Sequence, residues 1–164
     1  MRTAFNGVGC WVLGVGWNNG FGFWVMNMRN TDGSKKYIRP LLSEEEKSKA
    51  DIATLSYDFA CRVIRLYRYL AHSKEYIMSK QVYRSGTSIG ANIHEAQNAQ
   101  SKPDFLSKMA IASKEANETD YWLRLLHDNG YIDSSQFKSL DNDIKRLLRI
   151  IVSIVKTTKE NINK

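Results

Sequence analysis

Proline is almost missing from this sequence: Pro40 and Pro103 are the only two in 164 residues. That scarcity disfavours a loop-rich all-β fold and leaves room for long uninterrupted helices. Cysteine is equally sparse. Cys10 and Cys61 lie far apart and form no metal-spaced pair, so neither a zinc site nor a disulfide framework is expected, and the setting reads as reducing and cytoplasmic. None of the three histidines follows a glutamate at the spacing of a di-iron bundle. The residues three before His72, His94 and His127 are Tyr69, Ala91 and Arg124. No cofactor or metal is therefore expected. No run reaches the roughly 20 apolar residues of a membrane span, since the most apolar stretch, 7–24, is cut repeatedly by glycine and carries Asn18 and Asn19.

What remains is ordinary for a globular chain: 43% hydrophobic and 25% charged residues, which is incompatible with wholesale disorder. The net charge of +7 is unevenly spread. Residues 1–42 contribute +4 and residues 43–164 only +3, so the bulk of the chain is mildly basic rather than strongly so.

Composition changes near residue 42. Seven of the ten glycines and three of the four tryptophans fall within the first 33 residues, which sets this leader apart from the rest. Arg2 before an apolar run is the one feature of a signal peptide, but no small-x-small cleavage site follows it. The leader, 1–42, reads better as an irregular segment or as translated upstream sequence, with Met26 or Met28 as the start.

From residue 43 to the C-terminus the pattern is helical throughout. Ser43-Glu44-Glu45-Glu46 is a capping box opening a first helix, along which Ile52, Leu55, Phe59, Val63, Leu66 and Leu70 are spaced 3-4-4-3-4. Ser73 and Lys74 break it. A second helix runs from Ser79 to Gln100 with Val82, Ile89, Ile93 and Ala96 inward. Ser101-Lys102-Pro103-Asp104 starts a third, with Phe105, Met109, Ala112, Ala116, Thr119, Leu123 and Leu126 as its stripe; Asn129-Gly130 ends it. Asp133-Ser134-Ser135-Gln136 caps a fourth, with Phe137, Leu140, Ile144, Leu147, Ile151 and Ile154 inward. Short connections make successive helices antiparallel neighbours, so the expected fold is all-α, an up-down-up-down antiparallel four-helix bundle over 43–164.

Three constellations bear on function. Gly86-Thr87-Ser88-Ile89-Gly90 matches the hydrolase pattern G-x-S-x-G. That chemistry needs a strained strand-to-helix turn over a parallel sheet, and here the motif sits inside a helical period. The small residues Ser85, Gly86, Ser88, Gly90 and Ala91 mark instead a close helix contact. Arg84, Ser88, Asn92 and Glu95 form a polar line along the second helix, and Glu115 and Glu118 can face it from the third. This is a helix-packing or assembly network rather than a ligand site. Finally, two basic lines stand out: Arg62, Arg65 and Arg68, with His72 beyond and Tyr67 and Tyr69 close by, and Lys138, Lys145, Arg149 and Lys156, with Arg146 and Lys159 adjacent. A solvated helix face is the default for such runs. Repeated around an oligomer, the same lines become a phosphate-binding surface.

The run Gln81-Val82-Tyr83-Arg84-Ser85-Gly86-Thr87-Ser88-Ile89-Gly90-Ala91-Asn92-Ile93-His94-Glu95-Ala96, followed by Ala99-Gln100-Ser101 and Phe105, resembles a bacterial family. This is the four helix bundle protein family encoded in intervening sequences of 23S ribosomal RNA genes and sometimes labelled ribosomal. Lys114-Glu115-Ala116-Asn117-Glu118-Thr119-Asp120-Tyr121-Trp122-Leu123-Arg124-Leu125-Leu126 is similar to its third-helix signature. The resemblance spans about residues 48–160 and leaves the leader out. It implies a homopentameric ring. It also implies kinship with the accessory protein of diversity-generating retroelements, which binds nucleic acid and a reverse transcriptase through basic surfaces. It implies no catalytic residue. The expected function is thus a non-enzymatic oligomeric accessory protein binding RNA or DNA through basic helix faces; the alternative is a protein-binding assembly module with no nucleic-acid activity.

Overall fold

The computed structural model describes residues 39–162, and the expectations for residues 1–38 of the Gly/Trp-rich leader lie outside the described residues. The chain divides after Pro40, and every helix of the described residues belongs to the second unit, Leu41–Lys164. That unit is all-helical. It holds five helices and, among the described residues, no strand: α1 (Glu44–Lys49), α2 (Ile52–His72), α3 (Met78–Gln97), α4 (Lys102–Asp128) and α5 (Ser134–Glu160).

The first helical stretch is two helices rather than one. The Ser43 capping box forms as expected, Ser43 Oγ accepting the Glu46 N–H and the Glu46 carboxylate accepting the Ser43 N–H. Ala50 then turns extended (ψ 146°), and Asp51 caps a new helix by accepting the Thr54 N–H at 2.7 Å. An Asp side chain that captures a nearby backbone N–H competes with helix continuation, which is why the chain restarts there. The end of α3 also comes earlier than its sequence pattern extends. The Asn98 amide donates to the His94 carbonyl and its N–H turns back to Glu95 and Ala96, closing the helix before Gln100.

α2 packs on α3, α3 on α4 and α4 on α5, and α2 also touches α5. The faces they share are the stripes of the sequence. Leu55, Phe59, Val63, Leu66 and Leu70 of α2 join Val82, Ile89, Ile93 and Ala96 of α3 in one core. Met109, Ala112, Ala116, Leu123 and Leu126 of α4, with Leu140, Ile144, Leu147 and Ile151 of α5, complete it. The stripe ends Ile52, Phe105, Phe137 and Ile154 are only partly buried and pack on its rim. Ile132, in the turn before α5, is buried too. Each buried Val, Leu, Ile, Met or Phe side chain among them contributes about 1.5–3 kcal/mol on removal from water, so the periodic apolar faces are what hold the helices together. Thr119, the one polar member of the stripes, is buried and donates to Ser85 Oγ at 2.9 Å, so its hydroxyl is satisfied across the α3–α4 seam.

The start of α3 is capped from outside the helix. Ile77 occupies the cap position without a side-chain oxygen, and Glu75, buried in the preceding turn, substitutes for it. Its carboxylate accepts the N–H groups of Ile77 (2.9 Å), Met78 (2.8 Å) and Ser79 (2.6 Å). Burial pulls its pKa upward, but the donors of Met78, Ser79 and Ile77 outweigh this and leave it below the usual carboxylate value. A lowered folded-state pKa means that the cap stabilises fully above the ordinary carboxylate range. The contribution is lost as pH falls through the lowered value. Glu75→Ala is expected to cost about 1–2 kcal/mol in urea unfolding at neutral pH. The deficit against wild type should shrink on acidification, and a deficit that stays constant with pH would contradict the assignment.

Candidate nucleic-acid interface

Lys138, Lys145, Arg149 and Lys156 are all exposed on α5. At about 100° per residue, spacings of 7, 4 and 7 return each side chain to nearly the same direction. Leu140, Ile144, Leu147 and Ile151 occupy the opposite side and are buried, so the basic line points directly away from the core. Lys145 also pairs with Asp141 one turn earlier at 2.8 Å, and Arg149 Nε donates to the Lys145 carbonyl at 3.2 Å. Arg146 does not join the line. Its guanidinium turns the other way and donates to the Lys47 carbonyl at 2.7 Å.

The line expected on the first long helix is divided. Arg68 is exposed and Arg65 half-buried. Arg62 is drawn inward to α5, where it pairs with Asp143 and donates to Ser139 Oγ at 2.7 Å. Lys47, in α1, meets the same carboxylate at 3.0 Å and is itself buried. The guanidinium of Arg62 is therefore placed in a three-helix ion cluster and not on an open basic face. Lys47, Asp58 and Asp143 escaped the sequence reading because nothing local marks them. Lys47 sits in an acidic capping segment that reads as solvated, and its partner is 96 residues away. The Asp58 carboxylate completes this region by accepting the Leu42 N–H at 2.8 Å.

The polar line of α3 does meet α4. Glu95 pairs with Lys108 at 2.5 Å, and Arg84, exposed, acts electrostatically on half-buried Glu115. The Glu115 carboxyl is pushed above its ordinary value by burial and then by neighbouring Glu118, with Arg84 opposing both. Glu118 accepts the Trp122 indole N–H at 3.2 Å. Asn92 turns to the helix itself, its amide donating to the Ser88 carbonyl at 2.8 Å. Among the described residues no group of His, Cys, Asp and Glu is arranged to hold a metal ion.

Two arrangements have hydrolase-like residues without the surroundings that the chemistry needs. Ser88 lies in mid-helix within α3 and not on the strand-to-helix turn that the elbow chemistry requires. In the α4–α5 turn, His127 Nε2 lies 3.2 Å from Ser134 Oγ and Nδ1 lies 3.1 Å from Asp128. Asp128 and Ser134 are both exposed, where water screens the pair and a developing charge gains little. The His127 ring stacks on Phe137 at 4.6 Å, which makes this cluster a staple for the turn.

The described residues form an all-helical protein with an outward basic row on α5 and an internal ion cluster. The model of the 23S rRNA-intervening sequence protein family matches residues 48–153. The chain belongs to that family. A solved crystal structure from Bacteroides thetaiotaomicron, of a protein of unknown function from the S23 ribosomal protein family, is 50% identical, with a TM-score of 0.64. The match covers 65% of this chain and 99% of that one. No curated protein matches the chain. Among the described residues no helix is long and apolar enough to cross a membrane.

Proposed function

We propose that this chain is a non-enzymatic, oligomeric accessory protein of the 23S rRNA intervening-sequence type, acting in the cytoplasm and binding nucleic acid through the basic face of α5. In this reading α2–α5 form an antiparallel up-down-up-down bundle. The short connections 73–77, 98–101 and 129–133 and the sequential packing of the helices support it. The observation that carries the functional reading is the alignment of Lys138, Lys145, Arg149 and Lys156 on one exposed face, opposite the buried stripe. Phosphate contacts need cations in water-accessible rows rather than cations spent on internal pairs. One chain with few such contacts binds weakly, with dissociation constants near ~10⁻⁴–10⁻⁶ M, and a ring of copies, as in the pentamer that the family resemblance implies, gains by avidity.

The test is the double variant Lys145→Glu/Arg149→Glu. Both side chains lie off the core, so helicity and melting should match wild type. Binding to structured RNA and duplex DNA at low salt should fall by roughly ten-fold or more, because two attractions become repulsions. If the wild-type protein binds neither at low salt, the second reading takes over, a protein-docking assembly module. One observation favours that reading: an outward groove of about 240 Å³ between α2 and α3, floored by Ala53, Ala60, Gly90 and Ala91 and walled by Tyr57 and His94.

A further inference from the structure

We infer that the α5 face takes one kind of nucleic acid, a double-helical RNA stem, and that Asn142 is the residue that tells it from DNA. This rests on the nucleic-acid reading above. From Lys138 to Lys156 the helix rises about 27 Å at ~1.5 Å per residue, so the four cations are carried in a straight row on a backbone already ordered before any ligand arrives. No aromatic ring accompanies them. The one aromatic residue of α5, Phe137, is half-buried and stacked on His127. Single strands are held by stacking their bases on aromatic faces as well as by backbone charge, and this face offers only the charge. A double helix turns its bases inward and presents phosphates at higher density, which is the ligand that a phosphate-only row serves best.

Asn142 lies on the same face, one turn beyond Lys138 and before Lys145, and is exposed. Among the described residues its amide has no partner. A carboxamide both donates and accepts, as a ribose 2′-hydroxyl does. In an A-form stem those hydroxyls line a wide, shallow minor groove flanked by two phosphate rows. In B-DNA the groove is narrow and lacks them. With Lys138 on one phosphate row and Lys145, about 10 Å along the helix, on the other, Asn142 between them lies over the 2′-hydroxyls. Val152, 57% exposed at the edge of the row, supplies an apolar contact for the sugars. Asp141, paired with Lys145, and Glu160 at the far end are the acidic groups nearby, and they trim the charge without reversing it.

The experiment titrates the full chain with an RNA hairpin, a DNA duplex of the same sequence and an oligouridylate of equal length over a salt series. The RNA hairpin should bind tightest, about five-fold over the DNA duplex for one net hydrogen-bonded contact, with the single strand weakest. The slope of log K against log salt on the duplexes should be about −2.7 to −3.6 per chain engaged, three to four phosphates at ~0.9 each. Asn142→Ala should bring RNA and DNA close to parity, leave the salt slope unchanged and not lower the melting temperature, since alanine favours a helix more than asparagine does. Equal binding of RNA and DNA by wild type, or a preference for the single strand, would overturn this inference while sparing the broader reading. Failure to bind all three at low salt would remove both.

Discussion

Asp143→Ala is expected to destabilise the protein by about 3 kcal/mol or more, far above what a surface ion pair contributes. The Asp143 side chain is 12% exposed, and the two cations that converge on it, Lys47 and Arg62, are 7% and 15% exposed. Removing one partner of a buried pair leaves the other charge desolvated and uncompensated, and here one carboxylate serves two cations. Lys47 would keep its contact with Glu44 at 3.0 Å and Arg62 its bonds to Ser139, which places the loss near the lower end of the range for broken buried pairs. The control is Lys49→Ala, which breaks the Lys49–Glu45 pair at 2.8 Å between side chains that are both more than 70% exposed. That change should stay within about 0.5 kcal/mol. Urea unfolding with unchanged m values measures both. A loss under about 1 kcal/mol for Asp143→Ala would mean that water reaches the cluster and that α1 is not pinned through it.

Gly86→Ala and Gly90→Ala should shift stability in opposite directions although both glycines sit in the interior of α3. A Cβ on Gly86 would lie 2.7 and 2.9 Å from the two methyl carbons of Val63, which is fully buried and, being β-branched, cannot swing aside. Overpacking of this kind costs about 1–3 kcal/mol and outweighs the ~1 kcal/mol that alanine gains over glycine in a helix. A Cβ on Gly90 would meet the Ser56 carbonyl oxygen at 3.4 Å, an ordinary contact, so there the helix gain should survive at up to about 1 kcal/mol. Thermal or urea melts of the two single variants decide the matter. Shortening Val63 to alanine in the Gly86→Ala background should recover part of the loss, and a double-mutant cycle measures that coupling. Two shifts of the same sign would show that the α2–α3 contact is not governed by this one clash.

The small-residue run of α3 was thus legible as a close contact, but its division into one intolerant and one tolerant glycine was not. Spacing alone shows which residues share a helix face. Only the relative height of α2 and α3 sets Gly86 against Val63 and Gly90 against a backbone oxygen. The two basic lines divide in the same way. The α5 row is a property of one helix, because its spacing and the opposite apolar stripe are both written in consecutive residues. The α2 row looked equivalent from the sequence. Arg62 leaves it because Asp143, 81 residues away, offers a partly buried carboxylate that no local pattern could reveal.

The sequence by itself determined that the chain is helical after residue 43, where most of its helices begin and end, and which faces are buried. These follow from capping side chains and 3-to-4-residue periodicity, interactions that reach no further than one helical turn. The tertiary structure alone decided that Lys47, Arg62 and Asp143 form an internal cluster joining α1, α2 and α5. It also decided that Glu75 rather than residue 77 caps α3. The cluster depends on charges brought together over 81 and 96 residues of chain, where burial makes pairing compulsory. The cap depends on how tightly the turn after His72 folds back, with Lys74 at φ 63°. A glutamate set three residues ahead of a helix becomes its cap only when that turn closes.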